Sequence, residues 1–344
     1  MNKLKIGTIR RKSITIASEQ LVEIFSLSPQ ESLPLVIEPI IPELDLIIWV
    51  KNKLDLIQKL LCQHGGIIFR NFSINSLEKF EQFIKVTSNQ ELLSYQDGSS
   101  PRTLLTDNIY TSTDYPAEQS IFLHSELSYA NTYPLKIYFH CIKPADKGGE
   151  TPIADIRKVY YRLIQKTRDR FNKKQVMYVR NFGDGLGISW QKAFQTSNKK
   201  DVESYCQNND IVMKWRNNDK LQTKQVRPAI VSHPQTKELV WFNHAAFFHI
   251  STLNPKIRKC LGSEFLESEF PYNTYYGDGS EIEPEVLAEI RAAYQQETVT
   301  FPWQAGDILM LDNMLTAHGR NPFVGSRQVV VGMAESINSK NNNL

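Results

Sequence analysis

The sequence predicts a mainly β protein with flanking helices (an α+β chain built around a barrel or sandwich), and three observations predict it. Short apolar runs recur at 67–69, 135–141, 226–231, 239–242, 308–311 and 327–333, with no regular helical crossover between them. In LKIYFHC, Leu135, Ile137, Phe139 and Cys141 alternate with other residues, the pattern of a strand with one face turned inward. Helical periodicity is confined to the N-terminal part and the middle, where helices would pack outside the β core.

In chain order, residues 1–45 read as a loosely built N-terminal extension, because Pro34, Pro39 and Pro42 break any long helix. Trp49, Leu54, Ile57 and Leu61 then mark a helix that stops at Gly65-Gly66. A second helix follows Asn75, with Glu78 three residues on and Leu77, Phe80 and Ile84 on one face. A third starts at Asp155, and a fourth carries Pro284 in its first turn, with Leu287, Ile290 and Tyr294 inward. The main domain is expected over 46–336, with a helical or lid insert around 156–300. The polar tail INSKNNNL, 337–344, reads as frayed.

Composition excludes several classes. Hydrophobic residues at 41% and charged residues at 22% argue against wholesale disorder. Forty basic against 37 acidic side chains give a net charge of +3, too balanced for a general nucleic-acid or membrane binder. Arg10-Arg11-Lys12 reads as a solvated run. Four cysteines without a CxxC pair argue against structural zinc or a disulfide framework, and Cys62 and Cys141 are expected to be buried free thiols. The N-terminus lacks the order of a secretory signal, and no apolar run approaches membrane-spanning length, so a soluble cytoplasmic protein is expected.

The chemistry concentrates in IFLHSELSY, 121–129. On extended backbone His124 and Glu126 leave the same face and could grip one metal. His318, in LDNMLTAHGR just past the 308–311 run, is the best third ligand. Two His and one carboxylate form the facial set of non-haem Fe(II) oxygenases, which leaves three positions open for a chelating 2-oxo acid and O2. Seven His and 37 acids in 344 residues give roughly 0.75 chance His-x-acid matches, so the motif alone is weak and a core histidine is the ordinary reading. Its companions strengthen it. Thr151 lies in GGETPIAD, and Arg327 lies nine residues after His318. A guanidinium fork and a hydroxyl could hold the distal carboxylate of 2-oxoglutarate.

The chain resembles the taurine dioxygenase family, especially its clavaminate-synthase-like branch and the aspartyl hydroxylases of non-ribosomal peptide pathways. The resemblance runs from about 30 to 335, through HGGIIFRNF, YTSTDYPAEQSIFLHSELSY, KGGETPIADIR, RNFGDGLGISWQ, VWFNHAAFFH, YYGDGS and FPWQAGDILMLDNMLTAHGRNPFVGSR. It implies a double-stranded β-helix (jelly roll), with His124, Glu126 and His318 as the iron ligands and Thr151 and Arg327 as the 2-oxoglutarate contacts. Glu126 stands where taurine dioxygenase has Asp, as is usual in the clavaminate-synthase-like branch. Related halogenases lack a carboxylate there, so Glu126 argues for oxygenation. The family's sulfonate-gripping arginine falls near Val331, which argues against taurine.

Other residues tempt. Gly183, Gly185 and Gly187 lack the Lys-Ser/Thr of a phosphate loop and read as turns or a lid. His244 and His249 read as packing histidines, and Asn243 as a pocket contact. Arg320 could orient the metal site or form a structural ion pair. Tyr129 could line the pocket or belong to the core.

The implied enzyme uses Fe(II), 2-oxoglutarate and O2 to hydroxylate an unactivated C–H of an amino acid or derivative, free or tethered to a peptidyl carrier protein, in specialised metabolism. Desaturation or cyclisation needs only a different fate for the substrate radical. A zinc hydrolase and a non-catalytic jelly-roll binding protein are the rival classes.

Overall fold

The computed structural model describes residues 21–28, 31–88, 92–93, 95–106, 108–183, 187–217 and 219–340. The Arg10-Arg11-Lys12 run, the first 20 residues of the expected extension, Gly185 and the last four residues of the expected tail lie outside them.

The protein is mainly β with several helices. A seven-stranded sheet runs in the order Val22–Ser28, Glu31–Pro39, Gly66–Phe69, Ile308–Asp312, Thr132–Lys143, Gln328–Asn338, Ile109–Thr111. Only Glu31–Pro39 against Gly66–Phe69 is parallel. Against one face lies a four-stranded sheet, Thr298–Val299, Ile153–Asp155, Thr316–Arg320, Ile121–His124. Leu123, Ile153 and Ala317 of the small sheet share one buried cluster with Ile137, Phe139, Leu311 and Val331 of the large one.

The other face of the large sheet is covered by helices, and this corrects the expectation of one inward face. Tyr138 and Met310 pack there with Trp49, Leu61, Phe80 and Phe83. Each such buried side chain contributes roughly 1.5–3 kcal/mol. Lys136, on the same face, is buried with its charge met by Glu335 at 2.8 Å and by the Thr87 carbonyl at 2.9 Å.

The first expected helix is two, Leu46–Lys51 and Leu54–His64, because Asn52 closes the first turn back onto Trp49 and Val50. Gly65 caps the second with φ of 78°. Its carbonyl also accepts from the Thr316 hydroxyl at 2.9 Å, so the helix end and the small four-stranded sheet are tied together. Ser76, not Asn75, caps Leu77–Thr87. Asp155 and Pro284 start Ile156–Arg162 and Pro284–Gln296 as expected.

Within the expected extension, Val22–Ser28 and Glu31–Pro39 are strands rather than loose chain, the first of them at the sheet edge. Pro34 sits where pairing with Val22–Ser28 slips, and before the parallel ladder starts at Leu35, so its missing N–H breaks no ladder. The tail is also shorter than expected, since Ile337 and Asn338 still pair with Tyr133 and Thr132. The 226–231 run splits at Pro228 into Lys220–Arg227 and Ile230–Ser232.

Between the core strands, the chain builds a second four-stranded sheet: Val212–Arg216, Lys220–Arg227, Val176–Phe182, Tyr272–Tyr276. It carries its own small core around Phe182, Trp190, Phe194 and Leu221. Among the described residues, no helix is long and apolar enough to cross a membrane. All four cysteines are free; Cys141 is buried as expected, but Cys62 is half-buried and donates to Gln235 at 2.9 Å.

Candidate metal centre

Strand register builds the site. In the antiparallel pairing of Thr316–Arg320 with Ile121–His124, His318 stands directly opposite His124, their ring centroids 4.6 Å apart. His318, past the Ile308–Asp312 strand as expected, lies within a strand of its own. Glu126 lies beyond the end of its own strand, in a turn where Leu127 takes φ of 55°. Strand alternation cannot aim it. Buried Asn313 does so instead, accepting from the Glu126 N–H at 2.7 Å and donating to its carbonyl at 2.9 Å. One ligating atom from each of His124, Glu126 and His318 lies within 4.8 Å of the others. His318 Nε2 is 3.9 Å from Glu126 Oε2.

The donor set suits a divalent metal. His124 Nδ1 sits 2.8 Å from the Phe122 carbonyl, a bond that assigns the proton to Nδ1 and leaves Nε2 its lone pair. Burial pushes both imidazoles below the ordinary histidine range, His318 further, because the His124, Arg102 and His244 charges oppose its protonation as well. Two neutral imidazoles and one carboxylate are ligands that Fe(II) accepts. His318 Nδ1 is buried with no partner among the described residues.

A small cavity joins this cluster to the other expected residues. His124, His318, Thr151, Arg327, Ser112 and Arg102 all wall it. Arg327 donates through Nε to the Gly149 carbonyl at 2.8 Å and through Nη1 to the Ser112 hydroxyl at 3.2 Å. Burial, with Arg320 adding to it, pushes its guanidinium down to about 10, against the opposing charge of Glu150. The Trp303 indole donates to the Thr151 hydroxyl at 3.1 Å, so that hydroxyl keeps its own proton to give.

A second cavity of about 670 Å3 adjoins the first and shares Thr113, Ile121 and His124 with it. Its wall includes Phe247, Phe248 and Leu253, with Ser189, Lys192 and His249 as polar contacts. Phe247 stacks on the His124 ring at 4.5 Å and 14°.

The tempting residues resolve individually. His244 is a packing histidine, buried, with Nε2 2.8 Å from the Ser125 carbonyl. His249 lines the larger cavity and caps the turn at Ser251. Asn243 is not a pocket contact, because its amide is spent on Ala229 and Ala245. Tyr129 is core and donates to the Asp97 carbonyl at 2.6 Å. Arg320 forms no ion pair among the described residues; it holds the carbonyls of Tyr115, Pro116 and Gln119. Gly183 and Gly187 are turns with φ of 101° and 69°, and Gly187 lines the larger cavity.

Sequence reasoning passed over Arg102, Ser112, Trp303 and Asn313. Asn313 had a signal in its place between the 308–311 run and His318. Arg102, in the Ser-Pro-rich stretch SSPRTLL, had none.

The chain is similar to several known proteins. Residues 31–334 match the model of the taurine catabolism dioxygenase TauD, TfdA family. The chain is 40% identical over 281 residues to dapdiamide synthesis protein DdaC of Enterobacter agglomerans, covering 82% of this chain and 85% of that one. It is 27% identical over 296 residues to a clavaminate synthase-like protein of Arabidopsis thaliana, covering 83% and 86%. Among solved structures it is similar in fold to the PvcB protein of Pseudomonas aeruginosa, with a TM-score of 0.55 at 15% identity over 94% of each chain.

Proposed function

The chain belongs to the TauD, TfdA dioxygenase family and is an Fe(II)- and 2-oxoglutarate-dependent oxygenase; from that premise we propose that His124, Glu126 and His318 hold its iron. Thr151 and Arg327 take the distal carboxylate of 2-oxoglutarate. The two facing sheets form a double-stranded β-helix that takes in the strands Val22–Ser28 and Glu31–Pro39 besides the expected 46–336 domain, and the part of 156–300 outside the Thr298–Val299 strand supplies the lid. Zinc hydrolysis and a purely binding role, the rival readings from sequence, give way to the family assignment.

One observation carries this reading: His124 belongs to the walls of both cavities. A metal on its Nε2 would face the cationic cavity with one side and the larger, mostly apolar cavity with the other. Cosubstrate and substrate then meet at one ion from opposite directions. Bound there, ferrous iron with 2-oxoglutarate and O2 supplies the oxidation, with succinate and CO2 as by-products. The chain does the rest. Asn313 and Phe122 fix ligand orientation, Arg327 and Thr151 anchor the cosubstrate, and Phe247 keeps the His124 face dry.

The substrate is an amino acid or derivative of specialised metabolism, free or carrier-tethered, by analogy with the DdaC relative. A cavity of about 670 Å3 has room for a derivative larger than a bare amino acid. Hydroxylation is the expected outcome. Anaerobic addition of Fe(II) and 2-oxoglutarate should give a visible charge-transfer band. An amino-acid and amino-acyl panel should then give coupled succinate and a one-oxygen mass gain. A protein that binds Fe(II) but shows neither band nor succinate would overturn the reading.

A further inference from the structure

We propose that Arg102 is a second carboxylate clamp, which receives the metal-side carboxylate of the 2-oxo acid while Arg327 receives the distal one. This rests on the function proposed above.

The Arg102 side chain is 3% exposed and forms an ion pair with Glu126 through Nη2. Its Nε and Nη1 are buried with no hydrogen-bond partner among the described residues. The guanidinium lies 4.5 Å over the Tyr95 ring, which supports its flat face. Two unsatisfied donors on a buried cation are costly unless something fills them. Arg102 also walls the small cavity beside His124, His318, Thr151 and Arg327, and is absent from the wall of the larger one. It therefore faces the cavity assigned to the cosubstrate and not the one assigned to the substrate.

Charge points the same way. Without metal, Glu126 neutralises Arg102. With a divalent ion on Glu126, that carboxylate is shared, and the cavity holds a dication, one carboxylate and two guanidinium groups. A dicarboxylate restores most of the balance, one end at each arginine. The loop carrying Arg102 is held for this: buried Arg180 pairs with Asp97 and donates to the Gly98 carbonyl at 2.7 Å, while Tyr129 holds the Asp97 carbonyl.

The test separates the two ends of the ligand. Fe(II) protein is titrated anaerobically with 2-oxoglutarate and with 2-oxobutyrate, which lacks the distal carboxylate, and affinity is read from the charge-transfer band. Arg102→Gln should weaken both ligands alike, by about ten- to a hundredfold, and Arg102→Lys should recover part of the loss. Arg327→Ala should weaken 2-oxoglutarate alone. Metal affinity without 2-oxo acid, measured with Co(II), should change less than about threefold in Arg102→Gln. If instead metal affinity falls while 2-oxo acid affinity at saturating metal holds, Arg102 only orients Glu126 and the proposal is overturned. It is equally overturned if only the KM of the oxidised substrate rises. Absence of the band in the wild-type protein would instead count against the functional reading itself.

Discussion

The metal sheet and the insert around 176–276 are built differently. Every residue of Thr316–Arg320 is buried, and its register against Ile121–His124 places the two histidines with no loop in between. The insert wraps the larger cavity with a small separate core, two glycine turns and the helix Pro255–Glu264, which buries none of its residues. Chemistry that must be placed to a fraction of an ångström sits on paired strands, whereas surfaces that select a substrate sit on elements free to vary. The contrast is open to attack by mutation.

The largest effect should come from the sheet. His318→Ala should cut succinate formation by at least about a thousandfold and abolish stoichiometric Fe(II) binding, with the far-UV circular dichroism unchanged. Retained iron at full occupancy would remove His318 from the ligand set. Next, Arg327→Ala should raise the KM for 2-oxoglutarate about a hundredfold, the loss of a charge-assisted anchor. An unchanged KM would empty the cationic cavity of its assigned occupant.

The same contrast explains what the sequence disclosed. The strands were legible because alternation and β-branched runs are local, and the meeting of His124, Glu126 and His318 was legible because they stand in ordered motifs. The aiming of Glu126 was not, since it depends on Asn313 closing a turn 187 positions away. Lys136 and Tyr138 read as a solvent face, because nothing local announces that helices will cover them. Arg102 carries no periodicity at all. Its meaning exists only once the 95–102 loop is folded against Glu126.

A matched pair of buried amides tests whether the two regions differ in coupling to the metal. Asn313→Ala removes bonds to Glu126 and Pro134, and Asn181→Ala removes bonds from the insert to Ser268 and Phe270. Each should cost about 2–3 kcal/mol in thermal unfolding. Only Asn313→Ala should weaken Co(II) binding as well, by about tenfold or more. Equal effects on metal would erase the distinction. A milder probe is Lys192→Ala at the cavity wall. It should change the KM of whichever amino-acyl substrate the panel identifies by about tenfold, leaving the charge-transfer band intact.

The smallest effect concerns acid. His249, in the insert, is pushed down to about 4 by burial first and then by the Arg291 and Arg258 charges. Its ring also accepts from the Ser251 N–H at 3.1 Å, a bond that a protonated Nδ1 cannot accept. A histidine whose folded value is depressed binds its proton more readily when unfolded. Its unfavourable contribution is thus absent above the ordinary histidine range, grows as pH falls through 6.5, and is complete below about 4. At pH 5.5 it should amount to about 1 kcal/mol relative to pH 8. His249→Asn keeps an acceptor for Ser251 and removes the titration, so urea unfolding of this variant should lose less stability between pH 8 and 5.5 than the wild-type protein does. Identical pH slopes would show that the depression resides elsewhere, with buried His244 the next residue to replace.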